Sequence, residues 1–192
     1  FHRRGLPEPE ENRGVGSGSH GTQTAALLVA REELFERRRP SRVVVYGDVN
    51  STLAAAVCAS KLHIPIAHVE AGLRSFDRTM PEEINRVVTD ALADMHFVTS
   101  PEAMGHLARE GIPAEFMHFV GNPMIDTLRR FQDLVDVEAT KRRLGVPDSY
   151  GVVTVHRPSN VDDDTTVERL VEGLQRVSKL MPLVAPLHPR GR

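Results

Sequence analysis

Three stretches of this 192-residue chain concentrate the side chains that move protons or grip anions. In YGDVNST at 46–52, Asp48 follows an apolar run and a glycine, with Asn50, Ser51 and Thr52 just after it. A carboxylate in that setting is costly to bury without a partner or a task. HVEAGLRSFDRTMPEEINR at 68–86 gathers Glu70 and Glu82 with Arg74, Asp77, Arg78 and Arg86, and VHRPSNVDDD at 155–164 supplies His156 and Arg157. Like charges held close together raise at least one pKa, which lets a general acid and a general base coexist near neutrality. Asp48, Glu70 and Glu82 are the candidate acid/base set, although spacing alone leaves their proximity open. His156 suits proton shuttling and Arg157 the forked binding of an anion.

Each pattern has a plainer alternative. Ser51 and Thr52 would serve equally as a helix cap, and Glu82 with Arg86 as an i,i+4 salt bridge worth about 0.2 to 0.5 kcal/mol. His156 would also suit a local hydrogen bond, with Asp162–Asp164 as a solvated helix start. Two weaker patterns remain. In GNPMIDTL at 121–128, Gly121 and Asn122 follow a strand and Pro123 opens a helix, so exposed amides there suit a phosphate or ribose edge. In HPRGR at 188–192, His188 and Arg190 follow an apolar run and read equally well as a solvated basic loop.

Such residues need elements to position them, and the chain alternates helix and strand signals. ALLVAREELFERRR has apolar residues at helical spacing up to Pro40, and RVVVY at 42–46 lacks the polar alternation of a half-exposed strand. Helices are expected at about 51–62, 81–93 and 101–109, and strands at 64–69, 95–99 and 116–120. Short joints between them indicate βα units in a mostly parallel sheet, whose carboxyl edge is where ligands collect. Asp48, Glu70 and the 74–78 loop fall on that edge. Helical stretches at about 123–133 and 138–144 lead to a second unit, with strands at 151–155 and 182–187 flanking a helix at 164–180. Two strands and one helix are too few for an independent α/β domain. The expectation is an α/β protein of two domains, incomplete at both ends, with 1–135 in the first domain and 136–192 opening the second.

Composition narrows the function classes. With 24 Lys+Arg against 26 Asp+Glu the formal net charge is -2, so no positive field argues for nucleic acid or an anionic membrane. Hydrophobic residues at 40% and charged residues at 26% fit a soluble globular chain. The single cysteine, Cys58, forms neither an internal disulfide nor a cysteine metal cluster, which points to the cytoplasm. The 9 histidines are dispersed without an HExxH, and the three aspartates at 162–164 lack calcium-loop spacing. A phosphate-binding GxxxxGK[ST], a GxGxxG after a strand and a GxSxG elbow are all missing, so an ATPase, a Rossmann dehydrogenase or a serine hydrolase is poorly supported.

Taken together and in order, GDVNSTLAAA, HVEAGLRSFDRTMPEEINR, HFVGNPMIDTL and VTVHRPSNVD resemble the non-hydrolysing UDP-N-acetylglucosamine 2-epimerase family over nearly the whole chain. The resemblance implies a cytoplasmic, homodimeric enzyme of the glycosyltransferase-B (GT-B) fold class with Rossmann-like parallel sheets. It would interconvert UDP-N-acetylglucosamine and UDP-N-acetylmannosamine with no cofactor and no essential metal. Elimination of UDP to 2-acetamidoglucal and re-addition of UDP, with C2 protonated on the opposite face, is the implied route. By matching motifs, Asp48, Glu70 and Glu82 are the implied catalytic carboxylates, with His156 near the diphosphate. Arg86, Arg157, Asn122 and His188 are the implied binding residues, His188 lying in an element associated with a second, activating nucleotide sugar. Many relatives of the family it resembles have Arg where this chain has Pro158, so one possible phosphate contact is not carried over. The family is about twice this length, so a basic amino-terminal strand and loop and the rest of the second domain are expected outside the chain, leaving the isolated chain inactive. Competing readings are a hydrolysing epimerase, one acting on UDP-diacetamido-glucuronic acid, a GT-B glycosyltransferase, and an inactive nucleotide-sugar-binding protein.

Overall fold

A computed structural model describes residues 8–12, 14–16, 18–155 and 163–186. Two compact units divide the chain, residues 1–127 and residues 128–192.

The first unit opens with α1 (His20–Arg38), whose amino end is capped by the Ser19 hydroxyl accepting from the Thr22 amide at 3.3 Å. Strands β1 (Val43–Tyr46), β2 (Ile66–Ala71), β3 (Met95–Val98) and β4 (Met117–Phe119) then form one parallel sheet in that order. Between them run α2 (Asn50–Lys61), α3 (Pro81–Leu92) and α4 (Pro101–Arg109). Parallel neighbours require such crossovers, and each returns the chain so that every strand ends on the same edge. Ala54, Ala55, Ala56 and Ala59 are buried in α2, so this helix packs against both α1 and α3 with little side-chain bulk between. One apolar cluster joins Phe35 to Val43, Val45, Cys58 and Ile66; another joins Ala71 to Val98, Leu107 and Met117. Pro101 opens α4 where its missing amide costs nothing, and Ser100 caps it.

The strand expected at 64–69 is shifted to Ile66–Ala71. Pro65 has no amide to give the ladder, so its carbonyl only accepts from Val43 at 2.9 Å, while at the far end an irregularity carries the strand on to Ala71.

In the second unit, following α5 (Pro123–Gln132), lie α6 (Val137–Leu144), β5 (Gly151–Val152), α7 (Asp164–Ser178) and β6 (Leu183–Val184). Asp136 and Asp163 cap α6 and α7, and Gly145 closes α6 at φ +63. β5 and β6 pair in parallel but are two residues each, shorter than the apolar runs promised. Pro182 and Pro186 bracket β6 and cannot donate to a ladder. Among the described residues, no helix is long and apolar enough to cross a membrane.

Candidate active site

The site is built at the carboxyl ends of β1 and β2, under the start of α3. β1 ends at Tyr46, Gly47 turns at φ +67, and Asp48 leaves the sheet before α2 begins. The Asp48 Oδ2 accepts from Arg86 Nη2 at 2.6 Å and Nε at 2.9 Å. Asn85 Nδ2, one residue earlier on α3, donates to the Asp48 carbonyl at 2.8 Å and to Asn50 Oδ1 at 3.1 Å. Thr52 is spent on the scaffold: its hydroxyl donates to the Tyr46 carbonyl at 2.7 Å. Two successive residues of α3 therefore hold both the side chain and the backbone of the loop after β1.

Glu70 sits on a β-bulge. The β2–β3 register passes from Val69↔Phe97 to Ala71↔Val98, so Glu70 is the unpaired residue, with φ +74. A non-glycine residue there is strained by roughly 1 to 3 kcal/mol, and such bulges re-aim side chains beside functional sites. Its carboxylate lies over Gly47, where a Cβ would stand 3.5 Å from Glu70 Oε2. Burial pushes the Glu70 carboxyl up from its ordinary value, the Asp48 charge pushes the same way, and Arg86 and His68 oppose them. The Asp48 charge thus reaches Glu70.

Arg86 does not reach back along α3 to Glu82, the helix-face pairing that their spacing offers. It is drawn to Asp48 and, at 3.1 Å, to Glu83, because a buried carboxylate and a loop carboxylate compete better for one guanidinium than a half-exposed neighbour. Glu83, only 2% exposed, accepts from the Ser75 amide at 2.8 Å, the Ser75 hydroxyl at 3.0 Å and the Phe76 amide at 3.0 Å. Burial works to raise the Glu83 carboxyl, but these donors and Arg86 outweigh it and hold it below the usual range. Asp77 accepts from the Thr79 amide and hydroxyl, making a turn in the same loop.

Beneath the bulge lies a second layer. Asp90, fully buried on α3, meets His68 Nδ1 at 2.6 Å, the Gly72 amide at 3.0 Å and Arg74 Nη1 at 2.7 Å. Arg74, placed by sequence on the loop above the sheet edge, turns its side chain into this layer. Its guanidinium, 1% exposed, also grips Glu110 through Nε at 2.8 Å and Nη2 at 2.6 Å. Asp90 is held below the ordinary aspartate range: burial acts against this, and His68 and Arg74 overcome it.

Glu83, Asn85 and Asp90 are the site-building residues the motif reading passed over. Glu83, Arg86 and Asp90 recur at spacings of three and four on one stripe of α3, and charged residues on the stripe a helix buries are the signal that marks them. Asn122 is exposed; its side chain accepts from the Met124 amide at 2.9 Å and so caps α5. His156, Arg157 and His188 lie outside the described residues. Among the described residues, no group of three or more His, Cys, Asp or Glu is arranged to hold a metal ion.

A family model described as UDP-N-acetylglucosamine 2-epimerase matches residues 1–192. The UDP-N-acetylglucosamine 2-epimerase of Methanocaldococcus jannaschii is 40% identical over 99% of this chain and 54% of its own length. The UDP-2,3-diacetamido-2,3-dideoxy-D-glucuronate 2-epimerase of Pseudomonas aeruginosa is also 40% identical, over 100% of this chain and 54% of its own. The crystal structure of the M. jannaschii enzyme in complex with UDP-GlcNAc and UDP superposes with a TM-score of 0.92, covering 100% of this chain and 54% of that one. The Rickettsia bellii UDP-N-acetylglucosamine 2-epimerase superposes at 0.89 with 29% identity, over 98% and 50%. The chain spans about half the length of the curated relatives it matches. With parallel strands, crossover helices, and a match in sequence and fold that runs from end to end, this α/β chain of the GT-B-like class belongs to the UDP-N-acetylglucosamine 2-epimerase family.

Proposed function

We propose that the protein containing this chain interconverts UDP-N-acetylglucosamine and UDP-N-acetylmannosamine by eliminating and re-adding UDP. The observation that carries this reading is the pairing of Glu70, whose carboxyl is pushed up at the bulge, with Asp48 bound to Arg86. Epimerisation at C2 needs a base for the C2 proton on one face and an acid on the other, while the C1–O bond breaks to release UDP. Glu70, the carboxyl whose proton affinity is raised toward neutrality, suits the proton transfer. Asp48, tied to a guanidinium, suits orientation. Glu82, half-buried at the start of α3 and unpaired with Arg86, suits the opposite-face partner. His156 and Arg157 are assigned to the diphosphate by motif, and Asn122 and His188 to outer contacts with the nucleotide sugar. A homodimer in the cytoplasm is part of the same proposal.

Incubating the intact protein with UDP-N-acetylglucosamine in deuterated water tests it. Deuterium at C2 of both nucleotide sugars is the expected result. Free N-acetylmannosamine would identify a hydrolysing enzyme, and transfer to an added acceptor without C2 exchange would identify a glycosyltransferase. A second substrate is favoured by the P. aeruginosa relative, as similar as the M. jannaschii one. Exchange seen only with UDP-2,3-diacetamido-2,3-dideoxy-D-glucuronate would move the assignment to that sugar.

A further inference from the structure

We infer that His68 is held as a buried imidazolium and acts as a positioning residue that fixes the Asp48 loop and the Glu70 bulge relative to each other. The inference deepens the epimerase reading and rests on it for the catalytic consequence. It does not rest on it for the charge.

The argument begins with what each ring nitrogen faces. His68 Nε2 stands 2.9 Å from the Gly47 carbonyl, which only accepts, so Nε2 carries a proton. Nδ1 stands 2.6 Å from Asp90 Oδ1. The other Asp90 oxygen takes a guanidinium N–H and the Gly72 amide, an environment that stabilises the carboxylate, so Nδ1 carries a proton too. A neutral ring in either tautomer would leave one of these two acceptors, the buried Asp90 oxygen or the part-buried Gly47 carbonyl, facing a bare lone pair.

Arg74 is shared between the buried Asp90 and the more exposed Glu110, so its single positive charge does not serve Asp90 alone. The remaining groups facing the ring environment fit. His96, its register partner on β3, directs Nε2 to the Asp90 carbonyl at 2.9 Å. The Glu70 carboxyl lies within electrostatic reach of the ring, and Arg86 is bound to Asp48.

Position follows from these bonds. Gly47 immediately precedes Asp48, and His68 lies two residues before Glu70. One rigid ring thus ties the turn after β1 to α3 through Asp90, which also holds the Gly72 amide just past the bulge. Both functional turns hang from a single imidazolium–carboxylate pair.

The direct test is a nitrogen-15 spectrum of imidazole-labelled intact protein at neutral pH. A ring with two slowly exchanging N–H protons is expected, lost in His68→Gln. Absence of any doubly protonated ring in the wild-type protein overturns the inference without need of a variant. Should H68Q not fold, Asp90→Asn serves, and is expected to strip one N–H from the same ring; two retained N–H protons would overturn the Asp90 half of the argument. In kinetics, His68→Gln is expected to lower kcat by about tenfold or more with KM within about threefold, since sub-ångström misplacement acts on the transition state. The acid limb of kcat/KM, which reports Glu70, should move to higher pH as the cation beneath it is removed. Unchanged kcat and an unmoved limb would overturn the positioning role. A wild-type protein that never epimerises would sink the epimerase reading and the positioning role with it, while the ring protons alone decide the charge.

Discussion

Arg86 binds Asp48 from 38 residues away in sequence, at 2.6 Å, and leaves Glu82, its neighbour one helical turn back, without it. The consequence is a division among carboxylates: one held by a guanidinium, one pushed toward the protonated form on a bulge, and one half-exposed at a helix start.

Glu70→Gln keeps the shape of the side chain and removes its proton chemistry. In the intact protein, C2 deuterium exchange is expected to fall by about 100-fold or more. Exchange within a few-fold of wild type would remove Glu70 from the reaction.

Arg86→Lys keeps the charge and loses the two-nitrogen grip on Asp48, so kcat should fall by about tenfold. Arg86→Ala also removes a cation that holds the Glu70 carboxyl down, and the acid limb of kcat/KM should shift to higher pH in this variant alone. Coincident pH profiles for the two variants would contradict that coupling.

Glu83→Gln tests the loop rather than the chemistry. It gives up charge-assisted bonds to Ser75, Phe76 and Arg86, at a cost of about 1.5 to 3 kcal/mol by denaturant unfolding at neutral pH. Because the folded Glu83 carboxyl lies below its ordinary value, its stabilisation is present above the unfolded pKa and lost as pH falls through the folded one. The gap between wild type and variant should therefore close in acid. A gap that persists there would show that the loss is packing and not charge.

Gly72→Ala should destabilise by at least about 2 kcal/mol. The glycine has φ +79, and an added Cβ would stand 2.5 Å from the Ala103 carbonyl oxygen and 3.0 Å from Leu107 Cγ, contacts that backbone cannot yield. A thermal midpoint equal to wild type would mean α4 can back away from the turn.

Much of the scaffold was legible because hydrophobic runs and caps are local. The α4 boundaries at 101 and 109 follow from Ser100, Pro101 and the basic last turn, and the order of βα units from the spacing of apolar runs. The three carboxylates were legible as residue types on the ligand-facing edge. Their partners were not, since helix spacing offers Arg86 to Glu82 while the fold offers it Asp48, and only a tertiary contact decides between them. Arg74 shows the same limit: its place on the loop does not foretell that Asp90 and Glu110 are brought to either side of it. A bulge leaves almost no mark in sequence, because the extra residue is defined by what stands opposite it.

That bulge encodes position by counting. Ile66, Ala67 and His68 before Glu70, and Ala71 after it, are all committed to the interior, so Glu70 is the one residue of the turn excused from the parity of the strand. Losing a single residue between 66 and 71 would swap the strand's two covered faces along the rest of the segment and take the carboxylate off the bulge. Lengthening the 75–79 loop imposes no such exchange. The tolerance of this chain to insertion and deletion should therefore change abruptly within a few residues, and a length scan across 66–79 would trace that boundary.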